Sequence, residues 1–311
     1  MADEAVKPRE PTFDRLALIG LGLIGSSIAR VARGNGLARE ILAIDASDSV
    51  AARVRDVGIA DESTTDFARV AGCDLVILCV PVGAMADVAQ KIAPHLSHGA
   101  IVSDVGSVKG AVLTALQANL SDSVHIVPAH PVAGTEHSGP DAGFASLFEG
   151  RWCILTPPDD AESNAVARLS AFWEGAGSKV EVMTAPHHDL VLAITSHVPH
   201  LIAYNIVGTA DDFQTVTESE VIKFSAGGFR DFTRIAASDP TMWRDVFLHN
   251  KEAVLEILGR FNEDLAALQK MIRWGDGQGL FDLFTRTRAI RRSIIDLGQE
   301  TDAPDFGRPH K

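Results

Sequence analysis

Basic residues are in short supply: 28 Lys and Arg stand against 41 Asp and Glu, a formal charge of −13. Nucleic acid attracts the opposite field, so a generalised nucleic-acid binder is excluded. A small anionic ligand is not excluded, but it needs a local cluster of positive charge working against the global sign. Cysteine is scarce as well. Cys73, Cys79 and Cys153 are odd in number and have neither metal nor redox spacing, which fits reduced core cysteines in a cytoplasmic protein. Aromatic residues make up 6%, and Tyr204 is the single tyrosine. The segment from Met1 to Arg15 is charged and has no apolar signal core, so secretion is not expected. Internal repeats and low-complexity segments are lacking.

Charge is also missing from one long stretch. Leu190 to Ala210 contains no Asp, Glu, Lys or Arg and has about the length that a bilayer requires. The same stretch holds Thr195, Ser196, His197, Pro199, His200, Tyr204 and Asn205. Lipid penalises so many polar groups, and no basic bias marks either end. A buried helix carrying functional polar groups accounts for it better than a membrane span.

What is present is a core and a pattern. The 311 residues are 46% hydrophobic, enough for one large domain or two ordinary ones. Leu16–Ile19 reads as a buried strand. Gly20-Leu-Gly22-Leu23-Ile24-Gly25 follows it, then a helix opening at Ser26-Ser27, then a strand over Ile41–Ile44 that ends in Asp45. Together these make the dinucleotide fingerprint: a tight turn, close approach to the pyrophosphate, close helix packing, then a carboxylate for the ribose hydroxyls. Asp45 repels a ribose 2′-phosphate and Ala46-Ser47 supply no arginine, so NAD is favoured over NADP.

The alternation continues. Leu75–Val80 is a fully apolar run of the kind found in parallel strands covered on both faces, and it stops at Pro81. A helix follows from about Met85 to Ala93, then a strand at Ala100–Val102 that ends in Ser103–Lys109, and a helix near Ala111–Ala118. The short strand Val124–Val127 leads to Pro-Ala-His-Pro-Val-Ala-Gly-Thr-Glu at 128–136. This places His130 in a proline-stiffened loop just past a strand end, as the candidate for chemistry. Its plain alternative is a loop histidine capping a backbone carbonyl. Trp152–Leu155 and Lys179–Val182 read as two further strands around a helix at Ala161–Gly175. In doubly wound sheets ligands bind beyond the carboxyl ends of the strands. The glycine turn, Asp45, the Val80-Pro81 junction, the segment opened by Asp104, and His130 all fall there.

After about Met183 the pattern is helical only. The expected domains are therefore a Rossmann-type NAD-binding domain over 14–185 and an all-α substrate and dimerisation domain over 186–298, with tails at 1–13 and 299–311. A glycine turn at Gly227-Gly228 precedes a short helix through Phe229–Ala236. Ser238-Asp239-Pro240 starts another helix, which carries Phe247, Val254, Phe261 and Leu268, and also Leu258, Leu265 and Ile272, at heptad spacing. That stripe suits packing within one chain or across a homodimer. A last helix spans Leu280 to Leu297.

Five segments carry a family resemblance: Gly-Leu-Gly-Leu-Ile-Gly-Ser (20–26), Asp-Val-Gly-Ser-Val-Lys (104–109), His-Pro-Val-Ala-Gly-Thr-Glu (130–136), Ser-His-Val-Pro-His (196–200) and Gly-Gly-Phe-Arg-Asp-Phe-Thr-Arg-Ile-Ala (227–236). Over nearly its whole length the chain resembles the prephenate and arogenate dehydrogenases of tyrosine biosynthesis. The first segment is shared with many NAD enzymes; the third and fifth, in this order, are specific. The resemblance implies NAD-dependent oxidative decarboxylation of a cyclohexadienyl ring. It makes His130 the base or polariser for the 4-hydroxyl, a task that suits a neutral imidazole near pH 7, and Ser107 a hydrogen-bond partner of that hydroxyl. Arg234 would grip the ring carboxylate in a two-point fork, with Asp231 competing for it within or across subunits. Ser196, His197, His200, Thr135, Glu136, Trp243 and Gly227 match substrate-pocket positions. Lys109 either anchors that pocket or caps a helix. A zinc site at His197 and His200 lacks a carboxylate partner, so no metal is expected. A 3-hydroxyacid dehydrogenase of the same two-domain plan, or a non-catalytic NAD-sensing protein, stands as the alternative.

Overall fold

The computed structural model describes residues 11–135, 137–214 and 227–296. Its centre is a six-stranded parallel sheet in the order β3-β2-β1-β4-β5-β6. The strands are β1 (Phe13–Ile19), β2 (Ala38–Ile44), β3 (Glu62–Thr64), β4 (Leu75–Leu78), β5 (Ile101–Asp104) and β6 (His125–Ile126). Chain direction across the sheet reverses between β1 and β4, whose register pairs Leu16 with Leu75 and Ile19 with Leu78. That reversal is the switch point where such sheets hold ligands.

The apolar strands follow from burial on both faces. Side chains alternate with period two, so Leu16 and Leu18 of β1 and Leu75 and Ile77 of β4 enter one core. Ala17, Ile19, Val76 and Leu78 enter the other. Helices α1 (Leu23–Gly34) and α5 (Ser163–Gly175) cover the first face, where the Phe172 and Trp173 rings meet edge to face at 5.7 Å. Truncating an aromatic residue this well buried costs about 3–5 kcal/mol. Helices α3 (Met85–Ile92) and α4 (Gly110–Asn119) cover the second. Strand β1 opens at Phe13, which is fully buried and stacks edge-on with Phe172.

Strands β7 (Ala129–Pro131), β8 (Trp152–Leu155) and β9 (Lys179–Val182) form a separate three-stranded sheet. This corrects the loop expected around His130. Ala129, His130 and Pro131 pair antiparallel with Leu155, Ile154 and Cys153. Proline is tolerated because β7 is an edge strand that needs no donor from Pro131. His130 is thereby held by a ladder rather than by a stiff loop.

Helix α6 (Ala185–Leu192) begins where Thr184 caps His187 N–H and Pro186 occupies the first turn. It runs into a π turn over Ala193–His197 and continues as α7 (Val198–Gln214). Ala185–Asp212 is long and apolar enough to cross a membrane. Here it packs against α4 and buries His188, His197 and Ala203. The expected Ser238–Pro240 start is present: Asp239 accepts Met242 N–H at 2.9 Å. The helix it opens does not run through, however. It stops at His249, and a new helix begins at Lys251, because Asn250 adopts φ −111° and ψ 31°. The expected single stripe is thus divided between two helices.

The chain divides into two compact units, the first ending at Val254 and the second starting at Leu255. The second holds the remainder of the Lys251–Trp274 helix and the Gly277–Asp296 helix. None of its described residues from Leu255 to Ser293 is buried.

Candidate active site

The glycine turn after β1 is shaped by contacts that a side chain would break. Gly20 has φ +96°, and a Cβ there would lie 2.7 Å from the Cys79 carbonyl oxygen. A Cβ on Gly25 would collide with the Gly20 carbonyl, which is why α1 can start so close to the turn. Gly22 differs: nothing lies within 4 Å of where its Cβ would be. It caps α1 without a side-chain hydrogen bond, so the first N–H groups of that helix, from Leu23, Ile24 and Gly25, face open space. Leu23 itself is buried and Ile24 packs on the first core, so what they offer an anion is backbone N–H.

A cleft of about 430 Å³ adjoins this turn, lined among others by Gly20, Gly22, Asp45, Val80 and Pro81. Asp45 is fixed in it, accepting from Leu21 N–H and Ser47 N–H, each at 2.9 Å. Helix start, open glycine and fixed acid match the pyrophosphate and ribose of a dinucleotide. Phe67, Asp87 and Lys91 also line the cleft. Sequence reasoning did not single them out, since they belong to no fingerprint.

Asp104, grouped above with the cofactor contacts, has an internal role. It is fully buried and forms an ion pair with Lys109. It accepts further from Gly106 N–H at 2.7 Å and Ala129 N–H at 3.2 Å. Lys109 Nζ also donates to the Ala129 carbonyl at 2.7 Å. Burial pushes the Asp104 carboxyl up and the Lys109 ammonium down, and their contact opposes both shifts. Lys109 is therefore no pocket cation; it occupies the N-cap position of α4 without a side-chain cap bond, and its ammonium ties β5 to the start of β7.

His130 lies directly beside that tie. Its Nδ1 is 2.8 Å from His188 Nε2, and His188 Nδ1 is 2.8 Å from Asp189 Oδ1. Asp189 in turn accepts from Lys109 N–H at 2.8 Å and Gly110 N–H at 2.9 Å. Burial lowers His130 well below the ordinary histidine value, with His188, Lys109 and His197 adding to the effect, so the ring is neutral at pH 7. Burial would raise Asp189, but the bonds from His188, Lys109 N–H and Gly110 N–H outweigh it and keep the carboxylate ionised.

Helices 185–214 and 240–249 supply the other rings. Burial pushes His197 down to about 4. Asn250 Nδ2 donates to the Asp189 carbonyl at 2.8 Å and lies 3.0 Å from His197 Nδ1. This puts the His197 proton on Nε2. The nearby Ser107 backbone carbonyl raises the His197 value without making an aligned hydrogen bond. The π turn matters here, because such turns re-aim side chains inside a helix. Beyond it, His200 donates Nδ1–H to the Ser196 carbonyl at 2.8 Å and stacks on Trp243 with centroids 3.6 Å apart. Burial lowers His200 against the Ser196 bond, and the charge of the exposed Arg234 guanidinium lowers it further.

Ser107, Ser196 and Thr135 are half-buried, and Thr135 Oγ1 accepts from His137 N–H at 3.2 Å. Gly227 opens the short 227–233 helix, and Asp231 Oδ2 lies 3.9 Å from where its Cβ would be. Asp231 is exposed, with Arg230 Nε 3.6 Å from its carboxylate. Glu136 lies outside the described residues. His188, Asp189 and Asn250 were missed from the sequence. The one available signal was a His-Asp pair immediately ahead of the uncharged stretch.

A fixed acid beside an open helix start is the arrangement that suits a dinucleotide, and a buried neutral histidine is chemically able to accept a hydroxyl proton. The class so defined is the nucleotide-dependent dehydrogenases. Within it, residues 28–182 match the family described as prephenate dehydrogenase, nucleotide-binding domain. Residues 184–286 match prephenate dehydrogenase, dimerization domain. The chain belongs to the prephenate dehydrogenase family. It is 43% identical to a cyclohexadienyl dehydrogenase of Zymomonas mobilis, over 91% of this chain and 96% of that protein. A solved prephenate dehydrogenase from A. aeolicus, in complex with hydroxyphenyl propionate and NAD+, is 36% identical. It superposes with a TM-score of 0.85, covering 90% of this chain and 98% of that one. An arogenate dehydrogenase from Synechocystis is 26% identical, with a TM-score of 0.78 over 90% of this chain and 99% of that one.

Proposed function

We propose that this chain catalyses NAD-dependent oxidative decarboxylation of prephenate and/or arogenate, giving 4-hydroxyphenylpyruvate and/or tyrosine. The observation that carries the reading is His130: a neutral, positioned imidazole on β7, which Lys109 ties to the end of β5 in the parallel sheet. When bound, NAD accepts the hydride from the ring carbon that bears the 4-hydroxyl. His130 takes the hydroxyl proton, and Ser107 orients that hydroxyl. Arg234 holds the ring carboxylate until it leaves as carbon dioxide, and aromatisation makes the step effectively irreversible. His197, His200, Ser196, Thr135, Glu136, Trp243 and Gly227 shape the substrate side, with Asp231 as a competing partner of Arg234. Gly20, Gly22, Leu23, Ile24, Gly25, Asp45, Val80 and Pro81 hold NAD.

The division between nucleotide and substrate portions falls at 185/186, a reading supported by the boundary between the two family matches. The chain works as a homodimer built through its helical half. The dimerization-domain match supports this, as does the unburied Leu255–Ser293 segment with Leu265, Ile272, Trp274, Phe281 and Phe284 exposed. Three free cysteines support a cytoplasmic setting.

The test is direct assay of the purified protein with prephenate and with arogenate, each with NAD and NADP, followed by His130→Ala. Replacement should lower turnover by ~10²–10⁴ with little change in NAD affinity. Absence of turnover on both substrates would favour a different dehydrogenase of this plan, and an unchanged His130→Ala enzyme would move the base to His197 or His200.

A further inference from the structure

We infer that His188 and Asp189 are positioning residues that lock His130 in its Nδ1–H tautomer and so leave Nε2 as the basic nitrogen. The inference rests on the reading of His130 as the base, and it deepens that reading by assigning which ring atom takes the proton. Asp189 is fixed by the Lys109 and Gly110 N–H groups at 2.8 and 2.9 Å. Ionised, it can only accept, so His188 Nδ1 must donate to Oδ1 across 2.8 Å. His188 is fully buried and burial lowers its pKa, with the Asp189 bond opposing. Neutral and protonated on Nδ1, it has a bare Nε2. That atom lies 2.8 Å from His130 Nδ1, and two lone pairs cannot face each other at that distance, so His130 Nδ1 carries the proton and donates.

The surroundings hold this order. His188 faces His130 from β7, Asp189 on its own helix, Lys109 at the start of α4 and Asp104 at the end of β5. His130 also feels Lys109 and His197. Burial disfavours the protonated form of either ring in the resting protein; for His188 the Lys109 ammonium adds to it, while Asp189 and Asp104 oppose it without overcoming it. Asn250 donates to the Asp189 carbonyl at 2.8 Å and so fixes the backbone that carries the pair. An unconstrained histidine side chain prefers its proton on Nε2; here the preference is reversed, as an orienting acid does in other proton-transfer sites.

The experiment is ¹⁵N NMR of the full-length wild-type protein with labelled histidine, near pH 7.5, with resonances assigned by His130→Gln and His188→Gln. His130 should show the Nδ1–H signature. In His188→Leu it should move toward the Nε2–H form, and kcat should fall on the order of 10²-fold while the substrate KM and NAD affinity stay within about threefold. His188→Gln, whose amide oxygen can again accept from Nδ1–H, should recover much of that loss. An Nε2–H His130 in the wild type, as a doubly protonated His188 would impose, overturns the inference, and so does a His188→Leu enzyme with unchanged kcat. The wild-type spectrum decides even if His188→Leu fails to fold. A fully active His130→Ala enzyme with the Nδ1–H signature in the wild type would instead refute the base and leave the tautomer lock standing.

Discussion

Arg234 is the residue on which substrate capture turns in the proposed reaction, because a protein of charge −13 must offer a dianion some local positive charge. Its guanidinium lies close enough to His200 to lower that ring's pKa. Arg234 is exposed, so Arg234→Gln should cost binding ~1.5–3 kcal/mol, the range for hydrogen bonds to a charged group rather than for a buried charge pair. The loss should appear chiefly in the substrate KM, since the carboxylate is held before and during hydride transfer. Lys should restore only part of it, because an ammonium keeps the charge but not the planar fork. A lowered melting temperature with an intact KM would make Arg234 a structural partner of Asp231 instead. Asp45 sets the other choice. With both oxygens already engaged by backbone N–H groups, it cannot swing away from a 2′-phosphate, so NAD should be strongly preferred. Equal kcat/KM with NADP would refute that placement.

At the scale of elements, Asn250 does what no periodicity announces. The break it makes between two helices brings one amide against both the Asp189 carbonyl and His197. Asn250→Ala leaves the buried His197 Nδ1 without its donor, while Ala193 N–H still bonds the Asp189 carbonyl, and should cost about 1–3 kcal/mol in denaturant unfolding; a smaller effect would mean that water replaces the amide. The parallel strands were legible because burial on both faces writes itself as unbroken apolar runs, as in Leu75–Leu78. The glycine turn and Asp45 were legible because their spacing is local. The strand that carries His130 was not, since a proline-rich segment reads as a loop until an antiparallel neighbour is known. His188 pairs with His130 across 58 residues and Asn250 with His197 across 53. Nothing short of the fold brings such partners together.

For the whole molecule, three rings buried in neutral form make acid a destabilising agent. Burial lowers the folded-state values of His130, His188 and His197 below the ordinary 6.5. The unfolded chain therefore binds more protons than the folded one in this window. The stability these groups contribute is complete above about pH 6.5 and is lost as pH falls toward the folded values. For His197, whose folded value is about 4, the loss amounts to about 3 kcal/mol. Denaturant midpoints measured from pH 7.5 to 5 should fall steadily, and the triple replacement of these histidines should flatten the curve; a flat wild-type curve would contradict their burial as neutral rings. Assembly is measured separately. Sedimentation at micromolar concentration should give a dimer, because a helical segment that buries none of its Leu255–Ser293 side chains has too little core of its own. A monomer would refute the dimer.

The π turn over Ala193–His197 has a consequence in the genetics of the chain. A π turn holds one residue more than the α turn it replaces, so losing a single codon there need not break the helix. It would restore ordinary winding, and because the wide turn had absorbed the extra residue, everything downstream would keep nearly its present phase. Removal of Thr195, an exposed residue bonded only to the Val191 carbonyl, should therefore leave far-ultraviolet circular dichroism nearly intact. His200 would meanwhile keep its stack on Trp243, and what changes is the aim of the residues within the turn, His197 among them.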